Sequence, residues 1–148
     1  MIGLLQRVTE GKVVVAGETI GNIGVGLVVL VGVERGDQRL QADRLLERLL
    51  SYRVFPDEQG RMNLSVRDVN GGVLLVPQFT LAADTRKGNR PGFSTAAEPA
   101  EAKELYEYLV TIAASRYAHV ATGRFGADMK VSLTNDGPVT FWIQVTPT

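Results

Sequence analysis

Residues 24–33 read Gly-Val-Gly-Leu-Val-Val-Leu-Val-Gly-Val, an apolar stretch without a single polar interruption. Valine favours extended backbone, and a strand that is apolar on both faces is typical of one covered on both sides. A short buried helix is the alternative, and the valine and glycine content disfavours it. The stretch therefore predicts a central strand around which the remaining elements are arranged.

Working outward, the flanking sequence predicts more strands on one side and a helix on the other. Residues 2–9 and 12–15 have strand character, and residues 16–18 (Ala-Gly-Glu) are typical of a hairpin turn. Residues 37–52 place leucine and alanine at helical spacing, with charged side chains on the opposite face. We expect Asp37 to be the N-cap of this helix.

The second half repeats this alternation of strands and helix. The expected order is a turn at 56–60, a turn at 70–72, a strand at 73–76, a polar loop at 82–98, a helix from Pro99, a strand at 130–133, a turn at 135–138 and a strand at 139–145. Strands, helix, strands, helix and strands predict an α+β fold with a largely antiparallel sheet or barrel and two main helices. The length suits one domain, residues 1–148.

Several classes of catalyst are excluded by composition. The chain has no cysteine and a single histidine, His119, so it has neither a thiol nucleophile nor a set of ligands for zinc. No clustered acidic loop or glycine-rich phosphate motif is present, and we expect no metal and no cofactor. His119 follows the second predicted helix, where we expect it to complement the helix dipole rather than act as a catalytic base.

Charge and hydropathy also limit the partners. Sixteen basic residues balance sixteen acidic ones, which argues against indiscriminate coating of nucleic acid and leaves a local basic patch open. No apolar run reaches the roughly 18 residues that suggest a membrane span, and the N-terminus lacks the pattern of a signal peptide. We expect a cytoplasmic protein that does not contact a membrane.

Two short segments have unusual sequences. The first is Pro77-Gln78-Phe79-Thr80-Leu81, in which proline marks the end or the edge of a strand. The second is Asn135-Asp136-Gly137-Pro138-Val139-Thr140, in which Asn, Asp, Gly and Pro indicate a turn. Taken separately, each has an ordinary explanation, strand alternation for the first and a plain hairpin turn for the second.

Taken together, the segments closely resemble the motifs of the D-aminoacyl-tRNA deacylases, and the resemblance runs nearly end to end. The family motif Asn-x-Gly-Pro-Val-Thr is matched in full, and Ser-Gln-Phe-Thr-Leu is matched except that Pro77 replaces the serine. The companion matches, in chain order, are Gln6-Arg7-Val8-Thr9, Arg61-Met62-Asn63-Leu64, Arg90-Pro91-x-Phe93 and Gly123-Arg124-Phe125.

This resemblance implies a deacylase-like domain that hydrolyses the ester of D-aminoacyl-tRNA and of glycine wrongly attached to tRNA-Ala. It implies a homodimer in which a cis Gly137-Pro138 pair enters the partner's active site and excludes L side chains. A hydroxyl of the substrate's ribose would assist the reaction, and the protein would supply positioning and oxyanion stabilisation.

The resemblance also implies roles for three neighbouring residues. Gln78 and Phe79 are expected to line the pocket, and the backbone N–H groups near Phe79 and Thr80 are candidate oxyanion donors. Thr80 as a nucleophile is the alternative, for which the sequence offers no base.

Four arginine and lysine residues complete the expected site. Arg7 is expected to hold the carbonyls of the Gly-Pro pair, and a solvated charge at a strand end is the alternative. Arg86, Lys87 and Arg90 are candidate contacts to tRNA phosphates, with a solvated loop as the alternative.

Pro77 is the one departure from the family's motifs. A sister branch found in animals resembles this pattern with proline at that position, and it has a trans Gly-Pro bond and a pocket that admits L-alanine. Phe79, Arg7 and the second motif favour the D-specific branch. Two other classes stay open: a non-catalytic RNA-binding module on the same fold, and a hydrolase of free D-amino acid esters or N-acyl compounds.

Overall fold

The predicted elements occur in the expected order with different bounds, together with three short strands and a 3₁₀ helix that were not predicted. The computed structural model describes residues 1–147. Its strands are β1 (Ile2–Val15), β2 (Glu18–Ile23), β3 (Gly26–Gly32), β4 (Phe55–Pro56), β5 (Met62–Leu64), β6 (Gly72–Pro77), β7 (Val120–Thr122) and β8 (Lys130–Gln144). Its helices are α1 (Arg39–Ser51), α2 (Pro99–Arg116) and a 3₁₀ helix at Phe79–Ala82.

Six strands form one curved sheet in the order β2-β1-β3-β6-β7, and β8 pairs with the other edge of β1. The pairs made by β1 are antiparallel, whereas β3, β6 and β7 run parallel to one another. The two ends of the order approach each other, since a Cβ on Gly21 of β2 would lie 2.8 Å from the Thr122 carbonyl oxygen of β7. The sheet is therefore a nearly closed barrel, as the expected α+β class allows.

Strand β3 is covered on both faces, which confirms the prediction made from its apolar sequence. Val28 belongs to a small cluster inside the barrel, together with Val8 and Leu74. Val29 and Val31 face outward into the main core, which α1 and α2 complete. Alternate side chains of one strand thus serve two cores.

The N-cap predicted for α1 is wrong. Gln38 occupies that position, and its backbone N–H donates to Oε1 of Gln41 at 2.7 Å. The Asp37 carboxylate is buried and accepts hydrogen bonds from the Met1 ammonium at 2.8 Å and the Glu34 N–H at 2.7 Å. A buried ammonium requires a counter-charge, and this need outweighs a cap that other residues can supply.

The turn predicted at residues 135–138 does not reverse the chain. Asn135 pairs with Val8 and Thr140 pairs with Gln6, so both flanks of the segment lie along the same strand, β1. Residues 136–139 consequently project from β8 as a four-residue bulge opposite Arg7. The composition of the segment correctly indicated a departure from strand geometry. Because the residues before and after the segment both pair with β1, this departure is a bulge within β8 and not a turn between two strands.

A buried tyrosine ties α2 to the parallel edge of the sheet. The Tyr106 hydroxyl lies 3.0 Å from the Leu75 carbonyl oxygen and 3.1 Å from that of Gly123, and burial raises its pKa.

Among the residues described, no helix combines the length and apolar character needed to cross a bilayer.

Replacing Tyr106 with phenylalanine should lower the free energy of unfolding by about 1–2 kcal/mol, because the single proton of the buried hydroxyl no longer bonds to either carbonyl while the ring is kept. The more exposed Tyr108, whose hydroxyl donates to Asp43 at 2.7 Å, provides the matched control. Urea unfolding of both variants should show a clearly smaller loss for Tyr108→Phe. Equal losses would mean that the buried hydroxyl of Tyr106 stabilises the protein no more than the more exposed hydroxyl of Tyr108 does.

Candidate active site

An apolar cleft of about 640 Å³ opens beside the end of β6. Phe79, Phe93 and Phe125 contribute its aromatic surface, and Gln78 and Glu98 are its polar side chains. The rings of Phe79 and Phe93 lie 5.6 Å apart and both are exposed at the cleft. A concave, mostly apolar cleft with a few polar groups is the usual form of a site for a small ligand.

The first motif reaches this cleft through a change from strand to 3₁₀ helix. Pro77 is the last residue of β6, as expected from its missing N–H, and the Gln78 N–H donates to the Val31 carbonyl at 2.8 Å. The 3₁₀ helix then packs directly on β3. A Cβ on Gly32 would lie 2.9 Å from Cβ of Leu81, so this close approach depends on glycine.

Among the described residues, two backbone donors at the start of the 3₁₀ helix have no protein acceptor. Its first hydrogen bond runs from the Leu81 N–H to the Gln78 carbonyl at 3.2 Å. The N–H groups of Phe79 and Thr80 precede that bond, and within residues 1–147 no carbonyl accepts from either. Unpaired N–H groups beside a cleft are what stabilisation of an oxyanion requires.

The Thr80 hydroxyl has no base beside it. It accepts a hydrogen bond from Nε2 of Gln78, and in the described part of the chain no carboxylate or histidine bonds to it.

His119 does not line the cleft; its Nε2 lies 3.1 Å from Oδ1 of Asn70. The dipole role expected for His119 is wrong, because α2 ends at Arg116 and the extended Tyr117 separates the histidine from the helix.

Arg7 holds the bulge of the second motif, by a contact one residue earlier than expected. Its Nε donates to the Asp136 carbonyl at 2.9 Å, and its Nη1 donates to the Val54 carbonyl at 2.7 Å. The carbonyls expected to accept, those of Gly137 and Pro138, are not its partners. The side chain is only 12% exposed, so it is not a solvated charge at a strand end.

Asn135 closes the same bulge from inside, a role that the sequence motif did not disclose. Its Oδ1 accepts from the Val139 N–H at 2.7 Å, and its Nδ2 donates to Oγ1 of Thr140 at 3.0 Å. The Gly137–Pro138 peptide bond between these contacts is cis, and both residues are exposed. The sequence signal that could have identified this role is the short spacing, because an asparagine side chain can accept a hydrogen bond from the backbone N–H of a nearby residue.

One chain does not bring the two motifs together. Gly137 and Pro138 do not line the cleft. The cleft reaches β8 at Val131, and the bulge begins five residues further along that strand, at most about 17 Å away with 3.4 Å per residue. The bulge also lies opposite Arg7, which pairs with Leu27 of β3, whereas Pro77 pairs four residues further along at Val31.

The three basic residues of the polar loop do not line the cleft, but the loop leads directly to Phe93, which does. Arg86, Lys87 and Arg90 are exposed on a loop whose base is the antiparallel pair of Asp84 and Gly92, directly before Phe93.

No group of three metal-binding side chains is found within residues 1–147.

A family model described as D-Tyr-tRNA(Tyr) deacylase matches residues 4–144. The chain belongs to this family. Both motifs, Arg7 and the polar loop fall inside the matched range, so the cleft and the bulge are features of a member of the D-Tyr-tRNA(Tyr) deacylase family.

Relatives support the assignment over the whole length. Proteins named D-aminoacyl-tRNA deacylase from Nitrosococcus oceani and Janthinobacterium sp. are each 65% identical over 147 residues, covering 99% of this chain and 95% and 99% of theirs. The one from Pseudomonas putida KT2440 is 65% identical over 145 residues, covering 98% of this chain and all of its own.

Solved structures show the same architecture. The structure described as c-Myc DNA Unwinding Element Binding Protein is 36% identical, has a TM-score of 0.94 and covers 99% of this chain and 100% of its own. A probable eukaryotic D-amino acid tRNA deacylase is 18% identical, has a TM-score of 0.77 and covers 96% of this chain and 98% of its own. The second similarity concerns the fold alone and confirms the deacylase-like α+β barrel.

Proposed function

We propose that this family member hydrolyses the ester bond of D-aminoacyl-tRNA and releases the free D-amino acid and tRNA. The observation that carries the proposal is the apolar cleft flanked by the unpaired N–H groups of Phe79 and Thr80. The relatives at about 65% identity are named for this activity. Such a reaction would remove wrongly charged tRNA before translation, in the cytoplasm.

The chemistry that suits this site uses the substrate's own hydroxyl. Water attacks the ester carbonyl carbon, negative charge develops on the carbonyl oxygen, and the ribose oxygen leaves with a proton. The Phe79 and Thr80 N–H groups stabilise the developing oxyanion, and Gln78 positions the Thr80 side chain. The ribose hydroxyl beside the ester relays the proton, which accounts for a site without a protein base.

Selection for the D form is assigned to the bulge of a second copy in a homodimer. The bulge is exposed and does not line its own cleft, and Trp142 on the same edge strand is 55% exposed. An edge strand that exposes a large aromatic side chain is suited to pairing with another copy. Gly137 and Pro138 then form a backbone wall that an L side chain meets and a D side chain avoids, while glycine, including glycine wrongly attached to tRNA-Ala, passes.

One assay tests the activity against the other two classes. Release of amino acid is followed from D-Tyr-tRNA, Gly-tRNA-Ala and L-Tyr-tRNA, with the free D-Tyr ethyl ester as a fourth substrate. Release from the first two and not from L-Tyr-tRNA is expected. Tight tRNA binding without release would instead support a binding module, and activity on the free ester alone would support a different hydrolase.

Replacing Thr80 with valine should leave kcat for D-Tyr-tRNA within about threefold of the parent, because the oxyanion donor at this position is the backbone N–H, which valine keeps. A nucleophile lost by mutation usually costs several orders of magnitude in kcat. Thr80→Ser, which retains a hydroxyl, is the control. A large loss in Thr80→Val that Thr80→Ser does not share would show that the hydroxyl itself reacts.

A further inference from the structure

The loop between the first motif and Phe93 concentrates positive charge beside the cleft. Residues 85–97 contain three basic residues and no acidic one, in a chain whose formal charge is zero. Reciprocal backbone hydrogen bonds between Asp84 and Gly92, at 2.7 and 2.9 Å, close the base of the loop. A threonine fastens the return arm, since Oγ1 of Thr95 donates to the Ala82 carbonyl at 2.6 Å. The loop is therefore a short, anchored projection at the rim of the cleft.

The three cations are not equivalent, because Arg86 is bound within the loop. Its Nε and Nη2 donate to the two carboxylate oxygens of Asp84 at 2.9 and 2.8 Å, and its backbone N–H donates to Oδ1 at 3.0 Å. These bonds hold the pKa of the Asp84 carboxyl well below its usual range. A guanidinium paired with a carboxylate through one donor edge forms a locally neutral pair, so it attracts a phosphate less strongly than an unpaired cation does.

Lys87 and Arg90 differ from Arg86 in their pairing with carboxylates. Each is exposed, and within residues 1–147 neither has a carboxylate at salt-bridge distance, whereas Arg86 has one at 2.8 Å. Arg90 lies two residues before Gly92, and the next residue, Phe93, lines the cleft. From the closed base, the seven-residue loop reaches at most about 12 Å outward, with an extended strand spacing of 3.3 Å per residue. Both charges therefore stay close to the part of a bound ligand that extends out of the cleft.

We propose that Lys87 and Arg90 contact the backbone phosphates of the single-stranded tRNA end just before the nucleotide held in the cleft, and that Arg86 shapes the loop without contacting phosphate. The inference rests on the proposed function, since tRNA supplies the phosphates. It narrows three candidate contacts to two, because unpaired cations position a polyanion whereas a neutralised one does not.

Salt dependence separates the two roles. Each phosphate contact to a single strand contributes about 0.7 to the slope of log affinity against log salt concentration. The parent, Arg86→Ala, and the double variant Lys87→Ala/Arg90→Ala are compared by kcat/KM for D-Tyr-tRNA and by Kd for uncharged tRNA between 50 and 200 mM NaCl. In the double variant the slope should fall by about 1.4, so that its defect relative to the parent shrinks about sevenfold across this range. Arg86→Ala should keep the parental slope.

A substrate without phosphates serves as the internal control. The D-Tyr ester of adenosine should be hydrolysed equally by the parent and the double variant, since the loop cations have no phosphate to bind. The inference is overturned if the double variant keeps the parental salt-dependence slope. It is also overturned if the slope of Arg86→Ala falls by as much as that of the double variant. Because Kd for uncharged tRNA requires no hydrolysis, it tests the contacts even if the parent releases no amino acid, which would refute the proposed activity alone.

Discussion

Replacing Gly137 with alanine should lower the ratio of D-Tyr to L-Tyr release from tRNA by about 100-fold, since a displacement of about 1 Å at a reacting site can cost that much. Gly137 has a φ of +148°, and an added Cβ would lie 2.6 Å from Cγ2 and 2.8 Å from the backbone nitrogen of Val139. The bulge must move to admit the methyl group, and the proposed wall moves with it. The measurement is kcat/KM for both charged tRNAs.

Gly17 offers a control that separates backbone strain from displacement. It also has a positive φ, +80°, but an added Cβ there would meet nothing within 4 Å. Gly17→Ala should cost about 1 kcal/mol of stability and leave the D-to-L ratio unchanged. An unchanged ratio in Gly137→Ala, measured on folded protein with the parental oligomeric state, would show that the bulge is not the chiral wall.

Replacing Gly32 with alanine should lower kcat for D-Tyr-tRNA by about 100-fold, for a different reason. The added Cβ would lie 2.9 Å from Cβ of Leu81 and 3.4 Å from the Ala82 nitrogen, so the 3₁₀ helix must shift away from β3. That helix carries the N–H groups of Phe79 and Thr80, which must lie within a few tenths of an ångström of the oxyanion position. Single-turnover rates at saturating enzyme measure the effect without contributions from product release.

Gly3 provides the matched control for this second substitution. It is buried on the neighbouring strand, pairs with Val31, and an added Cβ would lie 3.2 Å from Cδ1 of Leu45, the end of a flexible side chain. Gly3→Ala should therefore change stability without changing kcat. If Gly32→Ala keeps the parental kcat, the 3₁₀ helix does not supply the oxyanion donors.

Several local features followed from residue chemistry before any tertiary contact was considered. The apolar run of residues 24–33 requires burial on both faces, and it forms β3 between the two cores. Pro77 ends β6 because proline cannot donate to a ladder. Pro99 begins α2 because the first helical turn does not need its N–H. In each case a single residue type limits its own backbone or its own solvation.

Two of the corrected predictions required knowledge of distant neighbours. Asp37 is bound to the Met1 ammonium rather than to the start of α1, and the partner lies 36 residues away in sequence. Arg7 binds the Asp136 carbonyl across 129 residues, and the motif alone named the neighbouring carbonyls instead. Propensities describe one segment at a time, whereas these contacts are decided by which buried charge or carbonyl lacks a partner.

By itself, then, the sequence determined the classes of element, the apolar central strand, the absence of cysteine, and the two motifs that point to one family. Only the tertiary structure decided that residues 136–139 are a bulge on β8, and that Arg7 and Asn135 hold it. It also decided that this bulge does not line the cleft of its own chain. The reason is physical: side-chain chemistry sets the local backbone, but strand pairing sets which distant segments share a surface.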